Sequence, residues 1–241
     1  MIDKEDELLQ VRLYKRRGVN IVSSGTTGEP KLVHRTPENL EACNKVAIEV
    51  EMLTSKSKVF TCTKMDHAGG LLLQTLPAYT LGCDIHVAKF NPYTFLKEFE
   101  NYTHTFLVPK MCQALMKTKG FATCDLTGKV VAMGSDQIMS NQIEAFVNKG
   151  ATVIANWGMS EVGPNVINKT FVQSTDVNEY FQPVPRMIGT ILGDTFYCDV
   201  KIDSNGELLV KGDISIYGNK WFATGDKVVE EQGCFYYIDR V

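Results

Sequence analysis

The 241-residue sequence has no apolar run long enough to span a membrane, no C-x-x-C pair, and no cluster of basic residues beyond Lys15, Arg16 and Arg17. Each absence excludes something. A transmembrane helix needs about 20 consecutive apolar residues. Residues 1–12 carry Asp3, Glu5, Asp6 and Glu7 where an export signal would have a basic start and an apolar centre. The seven cysteines (Cys43, Cys62, Cys83, Cys112, Cys124, Cys198 and Cys234) lack metal or redox spacing and lie mostly in apolar stretches, so they read as reduced core thiols in a cytoplasmic protein. A formal net charge of -3 with otherwise scattered Lys and Arg offers no surface for nucleic acid. Internal repeats and low-complexity linkers are lacking too.

What is present suits a sizeable packed core: 44% of residues are hydrophobic and 22% charged. Residues 2–17 read as a short helix with Leu8, Leu9 and Leu13 on one side, ending at Gly18 before a strand at 19–22. Apolar runs rich in β-branched and aromatic residues then predict buried strands at 59–63, 83–89, 105–109, 129–134 and 152–157. Between them, helices are predicted at 37–53, opened by Thr36 with Pro37 in the first position, and at 92–102, 111–119 and 140–148. This alternation predicts an α/β fold, a layered domain with a largely parallel sheet and flanking helices. After residue 184 the rhythm changes to strands at 196–202, 207–211 and 227–238, with turns at Ser204-Asn205-Gly206 and Gln232-Gly233, so a small antiparallel β subdomain is expected. The expected division is 1–185 for the core and 186–241 for the β subdomain.

The segment Ser23-Ser24-Gly25-Thr26-Thr27-Gly28-Glu29-Pro30-Lys31 directly follows a predicted strand. Two glycines permit close backbone approach, the hydroxyls and amides can donate to phosphate oxygens, and Lys31 adds a point charge. Glu29-Pro30 break the spacing of the ordinary nucleotide P-loop, which argues against a phosphoryl-transfer kinase. Such a Ser/Thr/Gly stretch resembles the signature phosphate-binding loop of the adenylate-forming superfamily, which includes acyl-CoA synthetases, peptide-synthetase adenylation domains and luciferases.

Three more segments resemble that family, in its order. Asn156-Trp157-Gly158-Met159-Ser160-Glu161 is similar to the aromatic-Gly-x-Thr-Glu motif, with Trp for the usual Tyr and Ser for the usual Thr; both keep a flat π surface and a hydroxyl. The resemblance implies that Trp157 stacks on adenine, Ser160 donates to phosphate and Glu161 holds Mg²⁺. Trp221 to Asp226 resembles the Thr-Gly-Asp segment, whose aspartate accepts from the ribose hydroxyls, and Arg240 in Asp239-Arg240 would also contact ribose. Gly134-Ser135-Asp136 stands where the family carries Gly-Gly-Glu or Gly-Gly-Ala beside adenine and acyl group, Ser135 adding bulk. The match in detail is to acyl-CoA ligases such as the o-succinylbenzoate-CoA ligases, through residues 103–109 and Asp66-His67-Ala68-Gly69-Gly70. There His67 and Gly69 would border the acyl tunnel, although a lone histidine at a strand end also fits a satisfied core residue. His34, His86 and His104 are read as ordinary structural histidines.

The resemblance implies ATP- and Mg²⁺-dependent adenylation of an organic carboxylate, with coenzyme A as a further substrate if a thioester follows. It also implies two missing pieces. Family members carry a whole subdomain before the phosphate loop, where this chain has 22 residues before Ser23. A homodimer is one expected way to cover the surface so exposed. They also continue past the Asp-Arg hinge into a mobile domain with a lysine that bridges carboxylate and α-phosphate. No residue here inherits that role by position, so adenylation is expected to be slow unless a partner supplies it. The rival expectation is a non-catalytic nucleotide- or acyl-binding protein. Neither a nucleic-acid nor a membrane partner is expected.

Overall fold

The computed structural model describes residues 14, 16–23, 31–181 and 190–241. The predicted N-terminal leucine helix lies outside the described residues apart from its last turn.

The described chain opens on a two-stranded antiparallel ribbon, β1 (Val19–Ser23) and β2 (Lys31–Arg35), in register from Val19↔Arg35 to Ser23↔Lys31. Helix α1 (Pro37–Val50) follows, with the Thr36 hydroxyl accepting from the Asn39 N–H and Pro37 in the first turn, where its missing N–H costs nothing. Beyond it come β3 (Lys58–Thr61), a π-helical turn (Gly69–Thr75) running into α2 (Leu76–Leu81), β4 (Asp84–Val87) and α3 (Phe95–Phe99). Then follow β5 (His104–Leu107), α4 (Pro109–Met116), α5 (Lys119–Thr123), β6 (Val130–Met133), α6 (Ser140–Val147), β7 (Thr152–Met159), β8 (Gly163–Phe171) and α7 (Ser174–Phe181).

Strands β4, β3, β5, β6 and β7 are parallel neighbours in that order, and β8 and the short β10 (Thr195–Phe196) extend this sheet antiparallel beyond β7. The central strands β3, β5 and β6 and most of β7 are buried on both faces, whereas the edge strand β4 is only partly buried. Leu107, Val131, Met133, Val153 and Ala155 pack with Phe99, Leu115 and Phe146 on one face. Phe106, Ala132 and Ile154, offset by one residue, pack with Leu73 and Val50 on the other.

A second, antiparallel sheet has the order β11-β12-β13-β14-β9, from β9 (Thr190–Gly193), β11 (Asp199–Ile202), β12 (Glu207–Lys211), β13 (Phe222–Glu231) and β14 (Cys234–Arg240). Leu208, Val210, Val228 and Phe235 from this sheet meet Val166 and Ile167 of β8.

The elements correct the sequence reading in three places. Only residues 95–99 of the predicted helix 92–102 are helical. The predicted strand 196–202 is two strands in different sheets. The strand β8 was missed altogether, because Pro164, the two asparagines Asn165 and Asn168, and Lys169 mask a segment that is ordered by pairing with β7.

Candidate active site

Strand β4 lies on one side of β3 and strand β5 on the other, so the winding of the sheet reverses at β3. Loops leaving the carboxyl ends of strands diverge at such a point and leave a crevice. A cleft of about 740 Å³ opens there. Cys62 and Thr63 come to it from β3, Phe106 and Val108 from β5, Ser135 and Asp136 from β6, and Asn156 to Glu161 from β7.

The ribbon β1–β2 brings Ser23 and Lys31 to the same cleft, paired across its two strands. Ser24, Gly25, Thr26, Thr27 and Gly28, the body of the predicted phosphate cradle, lie outside the described residues. At its near end the Ser23 hydroxyl is buried without a partner among the described residues, as is that of Thr63 across the cleft. Buried hydroxyls of this kind are ready donors for a bound group.

The second sheet supplies Asp226 and Arg240 to the cleft. Asp226 is only 7% exposed. Its Oδ2 accepts from the Trp157 indole Nε1–H at 3.0 Å, and its Oδ1 accepts from Arg240 Nη1, which also donates to the Thr224 carbonyl at 3.0 Å. Burial pushes the Asp226 pKa up, while Arg240 and the Trp157 hydrogen bond pull it down. Each oxygen keeps a lone pair, so the carboxylate is oriented by its two donors and still able to accept from a ligand diol.

The Ser160–Glu161 turn after β7 is held from beneath. Arg35, at the end of β2, is wholly buried and donates Nη2 to the Ser160 carbonyl at 2.6 Å. Its Nη1 serves Asn39, the Ile214 carbonyl at 2.9 Å and the Cys43 sulfur at 3.2 Å. Sequence reasoning passed over Arg35, whose acceptors lie 125 and 179 residues away.

His67 sits at the start of the π-helical turn on the cleft wall, with Nε2 3.6 Å from Asp66. Gly69 beside it has no room for a side chain: a Cβ would stand 2.6 Å from the Phe106 ring. Gly134 is buried behind the cleft, its Cβ position 2.6 Å from the Asn156 carbonyl. Ser135 adopts φ 69°, the left-handed conformation that favours glycine. Gly158 and Met159 complete the β7 wall, and Asn156 bonds to the buried Asn165. Val108, Met111 and Ile138 give the remaining wall an apolar character.

All predicted site residues within the described region except Gly134 therefore face one cleft. Among the described residues no helix is long and apolar enough to cross a membrane.

Comparison with known proteins agrees with this geometry. The chain is 26% identical over 240 residues to an indoleacetate--CoA ligase of Aromatoleum aromaticum, covering 90% of this chain and 46% of that protein. It is 25% identical over 255 residues to a 2-succinylbenzoate--CoA ligase of Listeria monocytogenes, covering 98% of this chain and 52% of that protein. It thus spans about half the length of the curated relatives it matches. The inhibitor-bound N-terminal domain of FACL13 from Mycobacterium tuberculosis shares the fold, with TM-score 0.77 at 18% identity over 92% of this chain and 60% of that one. The family described as AMP-binding enzyme matches residues 19–218. Sheet winding, cleft and motif order converge with that match, and the chain belongs to the AMP-binding enzyme family, the adenylate-forming enzymes to which its acyl-CoA ligase relatives belong.

Proposed function

We propose that this chain binds ATP and Mg²⁺ and activates an organic acid, acyl or aryl, as its adenylate. The observation that carries the reading is the convergence of Lys31, Glu161 and the Trp157–Asp226–Arg240 group on one cleft at the switch point of the sheet. Asp226 and Arg240 would take the ribose, and Trp157 the adenine face. Lys31, with Ser24, Thr26 and Thr27, would take the phosphates.

A carboxylate oxygen attacks the α-phosphorus, and the bond from that phosphorus to the bridging oxygen of pyrophosphate breaks, pyrophosphate leaving with the electron pair. Lys31 stabilises the charge on the departing group, and Ser160 orients the α-phosphate. Among the described residues no three metal-binding side chains cluster. Glu161, a single carboxylate on the cleft, suits Mg²⁺, which binds through one or two carboxylates plus substrate phosphates. When bound, that ion supplies neutralisation of phosphate charge.

His67, Gly69 and the apolar wall of Val108, Met111 and Ile138 would receive the acid, and the aromatic acids in the names of the two curated relatives favour an aryl substrate. Coenzyme A is the acceptor that the relatives' names imply for a second step. Residues 1–185 would form the nucleotide and acyl core and 186–241 its β subdomain.

The test is pyrophosphate exchange into ATP against a panel of aryl and acyl carboxylates, with calorimetry of ATP binding alongside. Exchange is expected with at least one aryl acid, and Lys31→Ala is expected to weaken ATP binding by about 10-fold or more, the loss of one charge-assisted contact. ATP binding without exchange would favour a nucleotide-binding protein without catalysis. Absent exchange together with unchanged binding by Lys31→Ala would sink the site assignment.

A further inference from the structure

Arg35 is a cation in the protein interior with no carboxylate in ion-pair contact among the described residues. A guanidinium in that position is costly unless its donors are satisfied. Four acceptors meet its two terminal nitrogens, Asn39 Oδ1, Cys43 Sγ, and the carbonyls of Ile214 and Ser160, while Nε is buried without a partner among the described residues. Burial lowers the Arg35 pKa, and the nearby Cys43, Glu161 and Cys198 raise it, so the charge of Glu161 reaches the guanidinium without direct contact.

These bonds join three segments. Arg35 closes β2, the strand that begins at Lys31. Its Nη2 holds the Ser160 carbonyl, one peptide before Glu161. Its Nη1 holds the Ile214 carbonyl, and Asn39 Nδ2 holds the neighbouring carbonyls of Asp213 at 2.8 Å and Ser215 at 3.2 Å. The segment so fixed then donates the Ile216 N–H to the Glu161 carbonyl at 3.0 Å. Two routes from one side chain thus converge on the peptide bonds flanking Glu161. An apolar residue could fill the same volume but could hold none of these carbonyls.

We propose that Arg35 is a positioning residue that fixes the Glu161 turn relative to the strand carrying Lys31, so that metal and phosphates meet both groups at one set separation. This rests on the reading of Glu161 as the Mg²⁺ ligand and Lys31 as the phosphate contact. The ribose contacts Asp226 and Arg240 come from the second sheet and make no hydrogen bond to Arg35, so loss of Arg35 separates metal-dependent triphosphate binding from binding of the nucleoside end.

The experiment titrates wild type, Arg35→Lys and Arg35→Met with ATP over a range of Mg²⁺, and with adenosine without metal, while recording thermal melts. Lysine keeps the charge but loses the fork. The half-saturating Mg²⁺ for ATP binding is expected to rise about 10-fold or more in Arg35→Lys, as when a residue supporting a metal ligand is removed, with adenosine affinity within about 3-fold of wild type. Arg35→Met is expected to match or exceed that shift; if it fails to melt cooperatively, Arg35→Lys alone decides. A Mg²⁺ requirement within about 2-fold of wild type in a folded Arg35→Lys protein, or adenosine affinity falling in step with ATP affinity, overturns the proposal. Wild-type protein whose ATP binding ignores Mg²⁺ would instead overturn the reading of Glu161, and the role of Arg35 with it.

Discussion

Two buried carboxyl groups stand at opposite ends of the larger sheet and show what a charge requires of its surroundings. Asp226 lies at the carboxyl end, in the cleft, with the Trp157 indole and Arg240 each donating to one of its oxygens. Glu51 caps the last turn of α1 at the amino end of the sheet, 1% exposed, with neither carboxylate oxygen partnered among the described residues. Burial raises the pKa of both. At Asp226 two donors oppose that rise, and at Glu51 nothing does, so its pKa stands well above the ordinary value. One end of the sheet holds a carboxylate oriented by two donors, and the other holds a carboxyl whose charged form burial disfavours and no donor relieves.

The comparison can be broken most strongly at the cleft. Trp157→Phe keeps a flat ring but removes the indole N–H, leaving Asp226 with Arg240 alone. ATP affinity is expected to fall about 10-fold by calorimetry, the worth of one hydrogen bond to a charged group. Because that bond holds the Asp226 pKa down, its loss moves the pKa further up. The decline of ATP binding on acidification should therefore begin at a higher pH in the variant, and coincident pH profiles would refute the role given to the N–H.

A smaller effect is expected at Glu51. A carboxyl with a raised folded pKa contributes no penalty below its unfolded value and destabilises progressively as pH rises from there to the folded pKa. Glu51→Gln removes the titration. Its Tm should exceed that of wild type at pH 8, with the gain shrinking as pH falls to 4. His104 close by acts in the other direction, its pKa lowered by burial to about 4, with the Glu51 backbone opposing; it destabilises as pH falls from 6.5 towards 4. A Tm difference between Glu51→Gln and wild type that does not change with pH would show that the acid is solvated after all.

The smallest expected effect sharpens the cleft itself. Ser135→Gly relieves a left-handed φ of 69° and should stabilise the fold by about 1 kcal/mol in denaturant melts.

The sequence disclosed the parallel strands through short runs rich in β-branched and aromatic residues, most plainly where the strand is buried on both faces, as in β6. It disclosed the cleft through short local motifs, Trp157 to Glu161 and Thr224 to Asp226 foremost. What it hid was long-range. Nothing around Arg35 signals that its acceptors come from Ser160 and Ile214, and nothing around Glu51 distinguishes it from the exposed Glu41 and Lys45 of the same helix. The contact between Trp157 and Asp226 joins two motifs that could each be read alone, but the bond between them exists only once the second sheet is docked on β8. Strand β8 escaped for a different reason: its partner β7 is its neighbour in sequence, but Pro164, Asn165, Asn168 and Lys169 interrupt its apolar pattern.

Phe106 carries a last consequence. Two positions beside its ring accept no side chain: a Cβ on Gly69 would lie 2.6 Å from the ring, and one on Gly134, in ordinary contact with the ring at 3.4 Å, would lie 2.6 Å from the Asn156 carbonyl. The main chain on both sides is thus committed to glycine, and variation cannot shift the ring by building outward from either. Among these three positions, depth of the cleft is an evolvable trait with a single adjustable site, residue 106.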